Sequence, residues 1–405
     1  MQQTLEKWSL DKHYKSIHVL GENSSKEESL TPIIIVNQMV ETILQTVDIT
    51  IVKNPNFKVL DSACGTGSFL IAWYEVLSKY HSHEHIINNM LWGFETNFSY
   101  FKANNKYYQF KNVHKESFLE TIKLDNMKFD HIVNNPPYEG KKELHQKFFN
   151  KAVDLLKDGG SLIFVQPATP YLNNKPGKSN QQLMRQNVLK YKTNVKLINP
   201  NIFENAAIMS TLAITHLVKN HNDSNKLESV EFESGKIYTN VDLRNINYNG
   251  MDIDVFIPLR DKIEAYIQKN GSCESIYYRN DKGTSNYICK FPRVRGHMNN
   301  PDFYTFIPND SKYLSSSVNE QNDFGLRVNS DLEIENMYHY VRTFVARFCL
   351  SITKCTIMNQ SEFRMIPLVD FSKRWTDESL CDEFGITEYE YSKILELIPP
   401  YYGLK

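Results

Sequence analysis

Apolar positions along the chain fall into short runs whose spacing changes from helical to strand-like and back. Residues 1–30 are polar, with 24–29 reading as a loop. Val36, Met39, Val40, Ile43 and Leu44 then recur at helical spacing, which predicts a helix with Thr31 as its N-cap and Pro32 as its first residue. Phe57–Asp61 reads as a strand that breaks at Ser62–Ser68. Phe69, Leu70, Trp73 and Leu77 predict a helix from Phe69 to about Tyr80. Met90–Phe94 predicts a second strand ending at Glu95, and Val113–Leu119 carries a third strand end. Phe129–Asn134 is a fourth, and Leu155–Val165 continues as helix, turn and strand. This succession belongs to an open α/β sheet, whose ligands bind at the carboxyl ends of the strands.

The polar, turn-rich stretch 219–226 predicts a domain boundary near residue 225. Beyond it, short strand-like runs and turns dominate Val230 to about Pro308. Met337–Ser351 reads as one helix with Val341, Phe344, Val345 and Phe348 on one face. A helix opens at Thr376, and Thr387 with Glu390 forms a capping box before a helix over Tyr391–Leu397. Ile366–Ser372 and Trp375–Asp377 read as structural.

Composition adds bounds. The 405 residues suit two domains, and 41% hydrophobic content suffices for sizeable cores. A net charge of −1 leaves no global basic footprint, so a nucleic-acid partner must be gripped by local patches. Six scattered cysteines, none in a Cys-x-x-Cys pair, suggest neither zinc nor a disulfide framework and fit a cytoplasmic location. The polar N-terminus and the lack of a long apolar run predict neither a leader nor a membrane association. His81, His83 and His85 alternate without an acid or cysteine partner and read as a solvated loop, not a metal site.

The candidate chemistry sits at strand ends. Asn135-Pro136-Pro137-Tyr138 follows the fourth strand. Each proline restricts the residue before it, and Pro137 offers no N–H, so the Pro136 carbonyl has a nearly fixed direction. That carbonyl and the Asn135 side-chain oxygen can accept two hydrogen bonds from one amino group. Tyr138 offers a flat face for the ring that carries the amine. The plain alternative is an Asn-Pro turn. At the first strand end, Gly65 and Gly67 let the backbone pass close to a ligand. The loop lacks the full dinucleotide fingerprint and the phosphate-binding Gly-Lys-Ser/Thr, so a nucleoside without phosphates, such as S-adenosylmethionine, suits it better. Glu95 is placed to accept two ribose hydroxyls. Phe118 could stack on adenine while Glu116 or Ser117 meets its amino group; a buried strand-end Phe is the plain alternative. The helix start at Thr31 could hold a carboxylate.

Taken together, these motifs resemble the amino-methylating DNA methyltransferases, the N6-adenine type in which the catalytic domain precedes the target-recognition domain. Thr31-Pro32 resembles the family's opening motif. Val59–Leu70, including Asp61, Ala63, Cys64, Gly65 and Gly67, resembles its cofactor loop, and Asn135–Tyr138 its catalytic motif. Leu155–Val165 and Asn201–Ile208 also look familiar, the latter as the segment whose aromatic, here Phe203, lines the pocket of a flipped base. Ser117 stands where the family usually has Asp. The resemblance covers about residues 30–220 and implies a Rossmann-like class I methyltransferase domain, 1–225, followed by an α+β target-recognition domain, 226–405.

The implied reaction is methyl transfer from S-adenosylmethionine to the N6 amino group of an adenine flipped out of double-stranded DNA. No strong base is needed, since the proton leaves after the nitrogen becomes cationic, and the enzyme's task is positioning. Tyr138 and Phe203 would sandwich the base. In the second half, Tyr277–Gly283 and Lys290–His297 interleave aromatics with Arg279, Lys290, Arg293 and Arg295, the expected DNA contacts; a solvated hairpin face is the alternative. A cognate restriction endonuclease is a further expected partner. Competing readings are methylation of N4-cytosine, RNA adenine or a protein glutamine, a non-catalytic DNA-binding subunit, and a fused nuclease built on Asp302, Asp310 and Lys312.

Overall fold

The computed structural model describes residues 10–14, 31–138, 144–172, 179–203, 211–247, 251–278, 287–292, 305–306, 323–353 and 360–400. The chain forms two compact units, Met1–Pro170 with Lys175–Asp242, and Tyr171–Asn174 with Leu243–Lys405.

The first unit is built on a nine-stranded sheet: β1 (Val59–Asp61), β2 (Leu91–Phe94), β3 (Asn112–His114), β4 (Phe129–Asn134), β5 (Leu156–Pro167), β6 (Tyr191–Ile198), β7 (Leu212–His221), β8 (Leu227–Glu231) and β9 (Ile237–Val241). Their order is β3-β2-β1-β4-β5-β7-β6-β8-β9. β1 pairs in parallel with β2 on one side and β4 on the other, and β4 pairs in parallel with β5. β7 is antiparallel to both β5 and β6. Val59, Leu60, Ile132 and Val133 are fully buried, as strands covered on both faces must be. The cover includes α1 (Ile33–Thr46), which buries Val36, Met39, Val40 and Ile43, and α2 (Ser68–Leu77), which buries Leu70, Trp73 and Leu77.

Several boundaries differ from the sequence reading. The sheet runs past residue 225, because β8 pairs with β6 and β9 with β8, so the unit closes at Asp242. Thr31 does not cap α1. Pro32 occupies that position, its carbonyl accepting from the Ile35 and Val36 N–H groups, while the Thr31 hydroxyl is engaged elsewhere. The histidine stretch is not a solvated loop. His81 and His85 bond the carbonyls of Val52 and Pro55 through Nε2, and His83 Nδ1 lies 2.9 Å from the Tyr74 hydroxyl.

In the second unit the run read as strands and turns contains α3 (Ile253–Asn270). Pro258 obscures it in sequence, because a proline inside a helix removes one backbone hydrogen bond. Burial of Val255, Phe256, Leu259 and Ile263 on one face holds the helix together regardless. The helix expected over 337–351 is two, α4 (Asp331–Tyr340) and α5 (Phe344–Thr353). Thr343 makes the break: its hydroxyl donates to the Tyr340 carbonyl at 2.7 Å and accepts from the Ala346 N–H at 3.1 Å. α6 (Asp377–Phe384) starts behind Thr376, and α7 (Glu388–Leu397) starts behind the capping box of Thr387 and Glu390. Glu390 also receives Lys262 of α3 at 2.6 Å. β10 (Ile288–Pro292) and β11 (Asp323–Arg327) form an antiparallel pair. No described helix is long and apolar enough to cross a membrane.

Four buried histidines of the first unit carry a stability consequence. Burial lowers His13, His145 and His216 to about 4 and His131 to about 3. Unfolding returns each to an ordinary imidazole of pKa about 6.5, which takes up a proton the folded chain refuses. Their stabilisation is complete above about pH 6.5 and is lost as pH falls below it, by roughly 1.4 kcal/mol per pH unit for each histidine. Burial also raises the carboxyls of Asp61 and Glu233 in this unit, and these act in the opposite direction but are two groups against four. Thermal melting followed against pH is expected to be flat above about pH 7 and to fall steeply below about 6.5. An unchanged midpoint down to about pH 5 would contradict this account.

Candidate active site at the ends of β1 and β4

The strand order reverses at β1, so two chain segments leave the sheet side by side there. Asp61 of β1 lies opposite Val133 of β4. One residue further on, the buried amide of Asn134 donates to the Ser62 hydroxyl. The glycine loop and the Asn135–Tyr138 segment therefore start from adjoining points.

The loop is held by its backbone. Cys64 N–H donates to the Phe94 carbonyl at 2.9 Å, and Gly67 N–H to the Cys64 carbonyl at 2.7 Å. Gly65 and Gly67 have φ of 51° and 96°, in the left-handed region that favours glycine. A Cβ on Gly65 would meet no atom within 4 Å, so the backbone there faces open space. Cys64 is buried, and its Sγ lies 3.0 Å from where a Cβ on Gly93 would be, which keeps the loop close upon β2. Ala63 contributes its N–H, donated to Asp61 Oδ1 at 3.3 Å. Asp61 Oδ2 is buried and accepts from no described group. Burial first, and neighbouring Glu95 second, raise this carboxyl well above its ordinary range.

Glu95 Oε2 accepts from Gly65 N–H at 2.7 Å, and Oε1 from Asn97 N–H at 2.6 Å. It thus braces the loop as well as standing at the strand end.

At the third strand end the described contacts are local. Glu116 accepts from the Thr121 hydroxyl at 2.7 Å and pairs with Lys123, interactions that lower its pKa. The Ser117 carbonyl accepts from the N–H groups of Glu120 and Thr121. Phe118 is 1% exposed, beside Phe94 and Phe148, with Lys151 Nζ 5.0 Å from its ring centre. Its ring is a core element here and presents no open face.

Asn135 is gripped at both ends. Its Nδ2 donates to Thr31 Oγ1 at 2.9 Å, and its Oδ1 accepts from the Tyr138 hydroxyl. Tyr138 packs against the core cluster, and burial pushes its phenol upward. Pro136 is buried and Pro137 exposed. Phe203, 2% exposed, belongs to the same core cluster.

Sequence patterns gave no sign of the N-terminal segment's part in this arrangement. His13 Nδ1 lies 2.6 Å from the Tyr108 hydroxyl, and Nε2 lies 3.1 Å from Ser68 Oγ and 3.4 Å from Thr66 Oγ1. Tyr14 donates its hydroxyl to the Thr31 carbonyl. Only Asn134, a polar residue closing an apolar strand, carried a readable signal.

Of the residues expected to meet nucleic acid, Lys290 is half-buried on β10. Arg279, Arg293 and Arg295, and the nuclease candidates Asp302, Asp310 and Lys312, lie outside the described residues.

The sequence profile of the N-6 DNA methylase family matches residues 17–220. No curated protein matches the sequence. Among solved structures, the type I restriction-modification system methyltransferase subunit from Streptococcus thermophilus is 18% identical with a TM-score of 0.41, over 55% of this chain and 51% of that one. The EcoKI type I restriction enzyme M protein is 16% identical with a TM-score of 0.38, over 52% of this chain and 49% of its own. The chain thus spans about half the length of these structures.

Glu95→Ala tests the brace directly. It leaves the Gly65 and Asn97 N–H groups without their acceptor and is expected to cost about 1–3 kcal/mol. Denaturant unfolding of both proteins measures it, and equal midpoints would show that the carboxylate does not hold the loop.

Proposed function

Because the chain belongs to the N-6 DNA methylase family, we propose that it methylates the N6 amino group of an adenine flipped out of double-stranded DNA, with S-adenosylmethionine as methyl donor. The observation that carries this reading is the adjacency of Asn134–Asn135 and the glycine loop, fixed by the pairing of β1 with β4.

The loop fits such a donor. Gly65 opens onto free space, and the buried Asp61 Oδ2 awaits a polar or positive group. Asp61, the backbone of Ala63–Gly67, and Glu95 would hold the nucleoside and its amino-acid arm, with Thr31 and the start of α1 at the carboxylate. The donor supplies a methyl group activated by a sulfonium. The chain's own residues position the amine and exclude water.

Asn135 Oδ1 and the Pro136 carbonyl accept the two amine hydrogens and stabilise the positive charge that develops on nitrogen. Tyr138 now occupies Oδ1, so its hydroxyl withdraws as the amine arrives, freeing the ring to stack on the base. Phe118 and Phe203 back the pocket as packing rather than as stacking faces. Glu116 and Ser117 are assigned no contact with the nucleobase, since their described partners are local.

The second unit is assigned target recognition, with Arg279, Lys290, Arg293 and Arg295 meeting phosphates and base edges. A cognate restriction endonuclease is the partner such a methylase would accompany.

Expression in a methylation-free bacterium, followed by modification-aware sequencing, tests the reading. N6-methyladenine in one sequence context is expected, and unmodified DNA alongside soluble, cofactor-binding protein would overturn it. Asn135→Ala is expected to lower turnover at least ~100-fold and to leave cofactor affinity within a few fold. Tyr138→Phe keeps the ring and removes the competing hydroxyl, so turnover is expected to hold or rise, whereas Tyr138→Ala forfeits stacking of about 1–3 kcal/mol. A turnover assay beside DNA-binding titrations separates the two; equal losses in both variants would argue against the hydroxyl's withdrawal.

A further inference from the structure

Thr31 joins two parts of the site that the reaction must coordinate. Its hydroxyl oxygen accepts from the Asn135 amide at 2.9 Å, and its carbonyl accepts from the Tyr14 hydroxyl. It also stands directly before Pro32, where α1 begins and the first-turn N–H groups point outward.

A primary amide can turn by 180° with little change in shape, exchanging its oxygen and nitrogen. Its partners decide the direction. Here both partners are hydroxyls, Thr31 and Tyr138, and each hydroxyl can donate or accept. Without a ligand, either amide orientation can be satisfied, and only one presents Oδ1 to a target amine.

We propose that Thr31 is a positioning residue that converts cofactor binding into the catalytic orientation of Asn135. The inference rests on the methyltransferase reading. A threonine hydroxyl has one hydrogen. Once that hydrogen is given to the carboxylate of the donor, the oxygen can only accept, and its neighbour must be Asn135 Nδ2. Oδ1 then faces away from Thr31, towards the position Tyr138 vacates. Tyr14 holds the Thr31 backbone in place from the other side. The cofactor therefore increases the preference for a base carrying an amino group over one lacking it, with no movement of the backbone.

The experiment uses the full-length protein, S-adenosylhomocysteine as an unreactive probe with the same carboxylate, and duplexes of the mapped recognition site carrying adenine or purine at the target. In the wild type, S-adenosylhomocysteine is expected to tighten adenine DNA at least fivefold more than purine DNA. Thr31→Val is expected to abolish that difference, and Thr31→Ser to keep it. Calorimetry should find S-adenosylhomocysteine bound by the Val variant within about tenfold of wild type. Tyr14→Phe leaves the Thr31 hydroxyl intact and is expected to reduce the difference two- to threefold; it also serves if the Val variant does not fold. A wild type that methylates DNA but shows no cofactor-dependent preference for adenine, or a preference that survives Thr31→Val, overturns the coupling. A wild type that neither binds S-adenosylhomocysteine nor methylates DNA overturns the methyltransferase reading instead.

Discussion

The parallel pairing of β1 with β4 is the constraint on which the site depends. Hydrogen-bonded strands keep fixed spacing, so the register of Asp61 against Val133 decides where Ser62 and Asn134 emerge. Their side chains touch at once, and the two segments that follow share one rim. The neighbouring pairing of β4 with β5 is guarded as well. At Gly160, where β5 returns beside β4, a Cβ would come within 2.9 Å of the Asp130 carbonyl and 3.0 Å of that of Lys157. Those are backbone atoms that cannot step aside, so a larger residue there would push β5 off its neighbour. Lys157 reinforces the same corner by pairing with Asp130 at 2.8 Å.

Rigidity of the rim is matched by an unusual degree of restraint on Asn135. A side chain on a loop normally samples several rotamers. This one is tied at both ends of its amide, to Thr31 from another element and to Tyr138 three residues on. The Thr31 end is in turn secured by the segment around residues 10–14, which also reaches the glycine loop through His13, Thr66 and Ser68. Burial keeps His13 neutral, so these contacts run between neutral dipoles and bring no second charge beside Asp61. A single short segment thereby steadies both halves of the site.

The strands of the site were legible because each is an apolar run closed by a polar residue or a turn. β4 runs over Phe129–Asn134 as the sequence reads it, and the glycines of the loop lie where φ is positive. Contacts between residues far apart in sequence were not legible. Nothing in the spacing of His13, Tyr14 or Thr31 announces that they meet residues 17 to 104 positions away, since periodicity reports only local geometry. Phe118 shows the same limit from the other side: an aromatic at a strand end reads equally as a stacking face or as core, and its ring is buried between Phe94 and Phe148. In the second unit, Pro258 and Thr343 misled for local reasons. One is a helix breaker overruled by the burial of its neighbours, and the other a helix-compatible residue whose hydroxyl caps a new start.

Charge gives the last link between this geometry and the proposed reaction. The chain as a whole is nearly neutral, yet the loop brings Glu95 close enough to Asp61 to disfavour ionisation of the Asp61 carboxyl. Glu95 is compensated by two N–H groups, whereas Asp61 has one, at 3.3 Å, and a bare second oxygen. Burial and Glu95 hold the Asp61 carboxyl towards its neutral form, and a cation beside it would favour the ionised form, because interactions between charges strengthen in a medium that excludes water. The sulfonium donor is such a cation, and the thioether left after transfer is not. If the proposed reaction takes place in this loop, the carboxyl of Asp61 would therefore gain more from the charged reactant than from its neutral product, without a moving part.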